Sequence, residues 1–351
     1  MQTPKVSFHV NNEPLYYDAE RKAILVSQAT RLVWIHENGR RENGIKWAKS
    51  WKEKLLGNWA IFRRVLRLGV HSIYPFLDGF LRVENKKVIY SNSGFSEEWT
   101  FSSFKGSRPL NLGISPDGFA CFGEYFSNAD RGEVRVFGTN DGVNWREVWK
   151  FKAAEIRHVH GCIYDEYRNG FWVLTGDSDD ESGLYFTGDH FATLIKEGTG
   201  SQQYRAVEVI PGPGGIIVPM DSPSERNWIQ HFDPTNKSLN PLCEINSSAF
   251  HAIRLGGIDF VSTVTEPSPV NDEDHACVYA SMNGTDWKLI AKFKRDFFPT
   301  KYQKYFRYAE IRFIETKGNA TQLIAHGRAL KGLSSGMMTW NLDEIKTFLS
   351  A

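Results

Sequence analysis

A seven-residue turn signature returns along this chain at a near-constant interval, and the interval limits what the chain can fold into. Thr139-Asn140-Asp141-Gly142-Val143-Asn144-Trp145 has the form Ser/Thr-x-Asp/Asn-Gly-x-x-Trp, and Ser281-Met282-Asn283-Gly284-Thr285-Asp286-Trp287 repeats it. Degenerate copies lie at Ser91-Asn92-Ser93-Gly94 with Trp99, and at Thr187-Gly188-Asp189. Counted at the third position of each, the steps are 48, 48 and 94 residues, the last being twice 47. The turn cluster Asp233-Pro234-Thr235-Asn236-Lys237 fills the missing midpoint. Further beats fall downstream at Lys331-Gly332 and upstream at Glu37-Asn38-Gly39. A period in the range of about 40–50 residues marks an array of similar supersecondary units, most often propeller blades.

The signature has a local physical basis. Asp or Asn bonds backbone amides and tolerates left-handed backbone, Gly supplies positive φ, and a Trp three residues on can fold over the turn and bury its ring between units. Strand-like runs flank the good copies, at 133–137 and 146–151 around the first and at 276–280 and 288–293 around the second. Seven beats, near 38, 93, 141, 189, 236, 283 and 331, predict an all-β, seven-bladed β-propeller with four-stranded antiparallel blades. Six blades result if the N-terminal segment is not a full blade. The first beat precedes the second by 55 residues, so an insertion, read as helical over 40–57, lengthens the first blade.

These turns resemble the Asp-box, or BNR repeat, of sialidase-like propellers in the glycoside hydrolase-like superfamily. The resemblance covers roughly residues 69–343, and both good copies are one residue shorter between Gly and Trp than the commonest box. It implies boxes on the outer rim, between the third and fourth strands of a blade and away from the active site. The sialidases themselves have six blades.

The 14% aromatic content and 30 Gly suit many short strands joined by tight turns. A propeller runs to 351 residues as a single domain over 1–351, with no low-complexity linker to divide it. A net charge of +1 provides no basic field for nucleic acid. Cys121, Cys162, Cys243 and Cys277 are dispersed without paired spacing and read as buried thiols. The start of the chain lacks the apolar core of a signal peptide and no run approaches about 18 apolar residues, so a cytoplasmic protein without a transmembrane segment is expected.

In the fourth blade, 157–164 reads as the inner strand, 171–177 as the second and 183–187 as the third. In propellers, the starts of inner strands and the loops after second strands converge on one face. That face would collect His71, Arg108, His158, His160, Arg205, His251, Arg254, Tyr308 and Glu310 from inner strands. Glu124, Tyr125, Asp177, Asp221, Glu225, Arg226, Glu266, His326 and Arg328 would come from second strands and their loops. His158 and His160 lie two apart on a strand and share a side. They either hold a divalent metal, with a third ligand from another blade, or are hydrogen-bonded without one; no cofactor is required. The run Asp177, Asp179, Asp180 and Glu181 is either a calcium-type oxygen site or a solvated acidic loop. The loop 221–227 either recognises a polar ligand or satisfies itself through Glu225 and Arg226. No phosphate loop in strand–helix context and no nucleophile elbow is present.

The first expectation is a glycoside hydrolase acting on an acidic poly- or oligosaccharide, as in bacterial surface-polysaccharide metabolism. Its catalytic groups would come from His158, His160, Tyr308, Glu310, Glu124, Asp177 and Asp221. Substrate would be held by His71, Arg108, Tyr125, Arg205, Glu225, Arg226, His251, Glu266, His326 and Arg328. The Arg-Ile-Pro-type motif of sialidases is absent, Arg108-Pro109 being the Arg-Pro pair here. The second is a polysaccharide lyase with a His or Tyr base and an Arg or metal neutralising a uronate, a chemistry found in propellers that these histidines and tyrosines suit. The third is a non-catalytic glycan- or protein-binding propeller.

One segment stands apart. Between Gly39 and Asn58, Trp47, Trp51 and Leu55 are spaced i, i+4, i+8 among Lys46, Lys49, Lys52 and Lys54. As a helix it would carry an apolar aromatic face on a basic body. Packing on the propeller is one outcome, and peripheral contact with an anionic membrane through residues 45–56 is the other.

Overall fold

The computed structural model describes residues 3–272, 274–297 and 308–351. Its described residues form seven β-sheets, the blades of an all-β, seven-bladed propeller, with three short helices. In chain order the blades span 13–46, 72–101, 113–151, 158–199, 210–245, 249–294 and 310–341. Each is antiparallel and four-stranded, and blade one gains a fifth, parallel strand, Glu315–Lys317 against Glu13–Asp18. The fourth strand of blade seven is Val6–Val10, antiparallel to Leu333–Asn341, so the two ends of the chain meet in one sheet.

Two compact units are present. Residues 1–73 with 246–351 hold blades one, six and seven, and residues 74–245 hold blades three to five with nearly all of blade two. Within each unit, the residues that alternate inward along the strands fill the layers between adjacent blades. Phe119, Phe151 and Phe171 pack between blades three and four, and Trp172, Leu174, Val218 and Phe232 between four and five. Phe260, Phe313, Met338 and Trp340 pack between six and seven. Each such side chain removed from water contributes roughly 1.5–3 kcal/mol.

Six of the seven beats fall in the turn between the third and fourth strands of a blade. In blade three, Asp141 Oδ1 accepts the backbone N–H of Val143 and Asn144 at 2.9 and 2.7 Å. Gly142 N donates to Thr139 Oγ1 at 3.0 Å, and Trp145 Nε1 donates to Gly142 O at 3.1 Å. Burial works to raise the Asp141 carboxyl, but the bonds from Asn144, Val143 and Thr139 prevail and hold it at about 2. Blade six repeats the geometry at Ser281, Asn283, Gly284 and Trp287. The Trp145 ring stacks on Phe101 of blade two at 5.7 Å, so the turn also ties neighbouring blades. Gly142 has φ +74°, and a Cβ there would meet the Tyr90 ring at 2.7 Å. Gly142→Ala should therefore destabilise the protein by about 1–3 kcal/mol, visible as a lowered denaturation midpoint.

The last beat departs from this register. Lys331-Gly332 joins the second and third strands of blade seven, because the outer strand comes from the chain start. The insertion expected over 40–57 also differs. Residues Arg41–Lys46 are the fourth strand of blade one, and helices α1 (Trp51–Leu56) and α2 (Ala60–Leu66) follow it. Ser50 and Glu53 form a reciprocal cap at the start of α1. Trp47 precedes the helix and is 1% exposed, so it does not share a face with Trp51 and Leu55. The third helix, α3 (Leu342–Ser350), is capped by Asn341 and packs Leu342 and Ile345 on the core of blades six and seven. Cys121, Cys162 and Cys277 are buried free thiols; Cys243, on an outer strand, is half-buried.

Candidate metal centre

The inner strand of blade four is His158–Asp165, paired antiparallel with Gly170–Gly176. His158 pairs with Gly176, and Val159 and Gly161 pair with the consecutive residues Thr175 and Leu174, leaving His160 as the extra residue of a β-bulge. Bulges re-aim side chains, and here both imidazoles reach the end of the second strand, where the chain leaves Gly176 for Asp177. Glycine is required at 176, since a Cβ would lie 2.5 Å from Cε1 of His160.

Three acceptor atoms converge at this point. His158 Nε2 and His160 Nε2 are 3.1 Å apart. Asp177 Oδ1 lies 3.4 Å from the first and 3.3 Å from the second. The opposite nitrogen of each ring is committed elsewhere: His158 Nδ1 donates to Phe126 O at 2.9 Å and His160 Nδ1 to Ala206 O at 3.1 Å. A carbonyl only accepts, so in each neutral ring the proton sits on Nδ1 and the Nε2 lone pair faces the cluster. Bonds of this kind, from the far ring nitrogen to a carbonyl, fix the tautomer of metal-binding histidines. Tetrahedral ligands at Zn–N distances lie about 3.3 Å from one another, which matches the three separations. Among the described residues, these three form the group whose ligand atoms meet this closely. The third group comes from the same blade, not from another as the sequence suggests, because the antiparallel partner strand ends beside His158.

Two arginines border the cluster. Arg157 Nη1 is 2.8 Å from Asp177 Oδ2. Arg205 donates through Nη1 to the Asp177 carbonyl at 3.2 Å, and its guanidinium lies 3.3 Å from Asp177 Oδ1 and 3.4 Å from Asp221 Oδ2. Gln202 donates to Asp177 O and to Asp179 Oδ1, and accepts Ser222 Oγ, pinning the Asp177 loop to that of blade five. Tyr125 lies half-buried with its ring 4.3 Å from that of His158. Burial foremost, with the Arg205 guanidinium beside it, holds His160 at about 4 against the pull of Asp177. For Asp177, burial acts to raise the carboxyl, but His158, His160 and Arg205 outweigh it and keep the group well below the usual carboxylate range. Both groups make the fold acid-sensitive. Between pH 6.5 and about 4 an unfolded His160 takes up a proton that the native one refuses, so stability complete above pH 6.5 declines through that window. Asp177 adds a further loss below about pH 4. The denaturation midpoint should fall from pH 7.5 to 5, and fall less in His160→Gln.

The other expected site residues are distributed as follows. Glu124 is buried and accepts the backbone N–H of Lys105 and Arg135 at 2.6 and 3.0 Å, a structural engagement of both its oxygens. Arg226 is 75% exposed and pairs with Glu244, and Glu225 is exposed beside it. Arg108 is half-buried. In the other unit, Glu310 pairs with Arg328, whose Nη2 donates to His326 Nδ1, while His326 Nε2 donates to Ser335 Oγ at 2.8 Å and Ser335 donates to Glu13. His71 Nδ1 accepts from Arg312, and Arg254 pairs with Asp259. Glu266 accepts from Ser248 Oγ, His251 is half-buried, and Tyr308 packs edge-on to Phe250. The acidic run after Asp177 goes to separate partners, Glu181 pairing with Arg131 and bonding Ser178, and Asp179 with Gln202. Arg157 and the carbonyls of Phe126 and Ala206 were not legible as site groups, and the bulge that re-aims His160 has no sequence signal.

No family model matches this chain, and no curated protein matches it. Solved structures do. The WD40 β-propeller domain of Doa1 aligns over 96% of both chains with a TM-score of 0.56 at 10% identity. The WD40 domain of Pan2 from Neurospora crassa aligns over 97% of both with a TM-score of 0.53 at 9% identity. A catalytically inactive virginiamycin B lyase from Staphylococcus aureus, with quinupristin, covers 96% of this chain and 99% of its own with a TM-score of 0.54 at 10% identity. These likenesses show the seven-bladed propeller fold and nothing finer.

Proposed function

We propose that His158, His160 and Asp177 hold a divalent metal, and that the centre acts on an acidic poly- or oligosaccharide by β-elimination. The observation that carries the proposal is the convergence of three lone pairs on one point, with both histidine protons committed to carbonyls on the far side. A point where two imidazole Nε2 atoms and a carboxylate oxygen meet takes a cation: a metal, or in its absence the proton that an imidazole shares with Asp177. With Arg157 and Arg205 alongside, such a cation makes a receptor for a carboxylate, the group a uronate must have neutralised before its α-proton can leave. A bound metal would supply Lewis-acid stabilisation of the developing enolate charge. Tyr125, beside the imidazoles and half-buried, is the group positioned to take the α-proton as its phenolate, the form that an adjacent cation favours. The bond to the glycosidic oxygen then breaks, a carbon–carbon double bond forms, and the departing oxygen acquires a proton.

Hydrolysis, the first expectation from sequence, needs a carboxylic acid that keeps its proton near neutrality. Asp177 is held ionised, Glu124 is occupied by amides and Glu310 is paired with Arg328, so the geometry favours elimination. The Asp-box resemblance, confined to rim turns, carries no weight on the reaction. The test is incubation of metal-stripped and Mn²⁺- or Zn²⁺-loaded protein with a panel of acidic and neutral polysaccharides. Metal-dependent absorbance from unsaturated uronates supports the proposal. New reducing ends without unsaturation would replace it with a hydrolase, and saturable binding without turnover with a binding module.

A further inference from the structure

Helices α1 and α2 are built inside out. In a helix packed on a globular core, the apolar stripe faces inward and the charges face water. Here α2 turns two arginines inward: Arg63 meets Glu13 at 3.3 Å and donates to Gly57 O at 2.8 Å, while Arg64 pairs with Asp296. Both side chains are under a tenth exposed. The outer surface of the pair instead presents Trp51 at 69% exposure, Trp59 at 63% and Leu55 at 59%, with Ile61, Phe62 and Leu66 beside them. Trp47, buried beneath Gly57 and Gly69, fixes the base of the hairpin. Exposed aromatic and aliphatic side chains in such density mark a contact surface.

Charge identifies the partner. Residues 46–67 contain seven basic residues and one acidic one, in a chain whose whole balance is +1. Lys46, Lys49, Lys52, Lys54 and Arg67 are exposed around the apolar side chains. The acidic residue, Glu53, has its carboxylate turned to the amides of Lys49 and Ser50. Tryptophans and leucines ringed by lysines suit the headgroup–acyl boundary of an anionic bilayer, where the rings enter the interface and the ammonium groups meet lipid phosphates. No helix among the described residues is long and apolar enough to cross a membrane, so the contact is interfacial. The geometry points to docking of the protein on an anionic membrane through Trp51, Leu55, Trp59, Phe62 and Leu66.

Co-sedimentation of the full chain with phosphatidylcholine vesicles, and with vesicles containing about 30% phosphatidylserine, tests this. Binding should be strong on the anionic vesicles, weak on the neutral ones, and weakened by salt. Trp51→Ala with Trp59→Ala should reduce partitioning about tenfold or more. Replacing Lys49, Lys52 and Lys54 by Gln should cost about fivefold per lysine and flatten the salt dependence. Both variants should keep the wild-type melting temperature and metal stoichiometry, since the altered side chains are exposed and none belongs to the blade-four cluster. Absence of vesicle binding, binding unchanged in the variants, or a dimer that dissociates in them would overturn the inference.

Discussion

His160→Ala should lose metal and turnover together. A single group hydrogen-bonded to a metal ligand is worth roughly 10–100-fold in metal affinity, so deleting one of three ligands should cost at least about a hundredfold. His158→Ala and Asp177→Asn should match it. Gly176→Ala gives a sharper result because it keeps every ligand: the new Cβ would lie 2.5 Å from His160 Cε1 and force the ring out of the convergence. Affinity should fall by a comparable factor with no donor atom removed. His275→Ala, in blade six and paired with Asp272, should leave metal content unchanged. The measurement is metal stoichiometry and isothermal titration on stripped protein, alongside product formation. Full metal affinity in His160→Ala would mean that the metal binds elsewhere, and the metal centre would be withdrawn.

Much of the fold was legible because the turn chemistry is local. Asp141, Gly142 and Trp145 satisfy one another within seven residues, so the signature announces its structure wherever it occurs, and its spacing measures the blade. The failures arose where a non-local strand intervened. Val6–Val10 supplies the outer edge of blade seven, which shifts the last beat to a different turn, and no spacing within 310–341 encodes that exchange. Trp47 departs from its helical spacing for a related reason. Its i, i+4 relation to Trp51 is helical in sequence, but the Ser50 cap starts the helix after it, and burial claims the ring.

The site was half legible. A His-x-His at the start of an inner strand, followed by a carboxylate after the second strand, is visible in sequence, and those three residues are the ones that converge. Their tautomers are set by the carbonyls of Phe126 and Ala206, and backbone acceptors have no side-chain signature. Arg157 precedes His158 and would point away on a regular strand, yet it reaches Asp177. Glu124 illustrates the opposite error: a carboxylate at a promising position is consumed by two backbone amides.

Arg205→Met should lower the stability of metal-free protein, and metal should restore much of the loss. The guanidinium, about 11% exposed, lies between Asp177 of blade four and Asp221 of blade five. Removing one partner of a buried ion pair typically costs about 3–5 kcal/mol, because the remaining charge is left uncompensated. Arg157 still faces Asp177, so the lower end of that range is expected, centred on Asp221. The same substitution frees Asp177 Oδ1 from a competing cation, and a metal on that oxygen would then face one positive neighbour fewer. Metal at about 100 times its dissociation constant stabilises by about 2.7 kcal/mol, and tighter binding in the variant raises that contribution. Thermal unfolding with and without metal should therefore show a larger metal-induced shift in Arg205→Met than in the wild type, while turnover falls because the carboxylate receptor has lost an arm. A structural arginine beside a metal-free histidine pair would give the stability loss without the rescue.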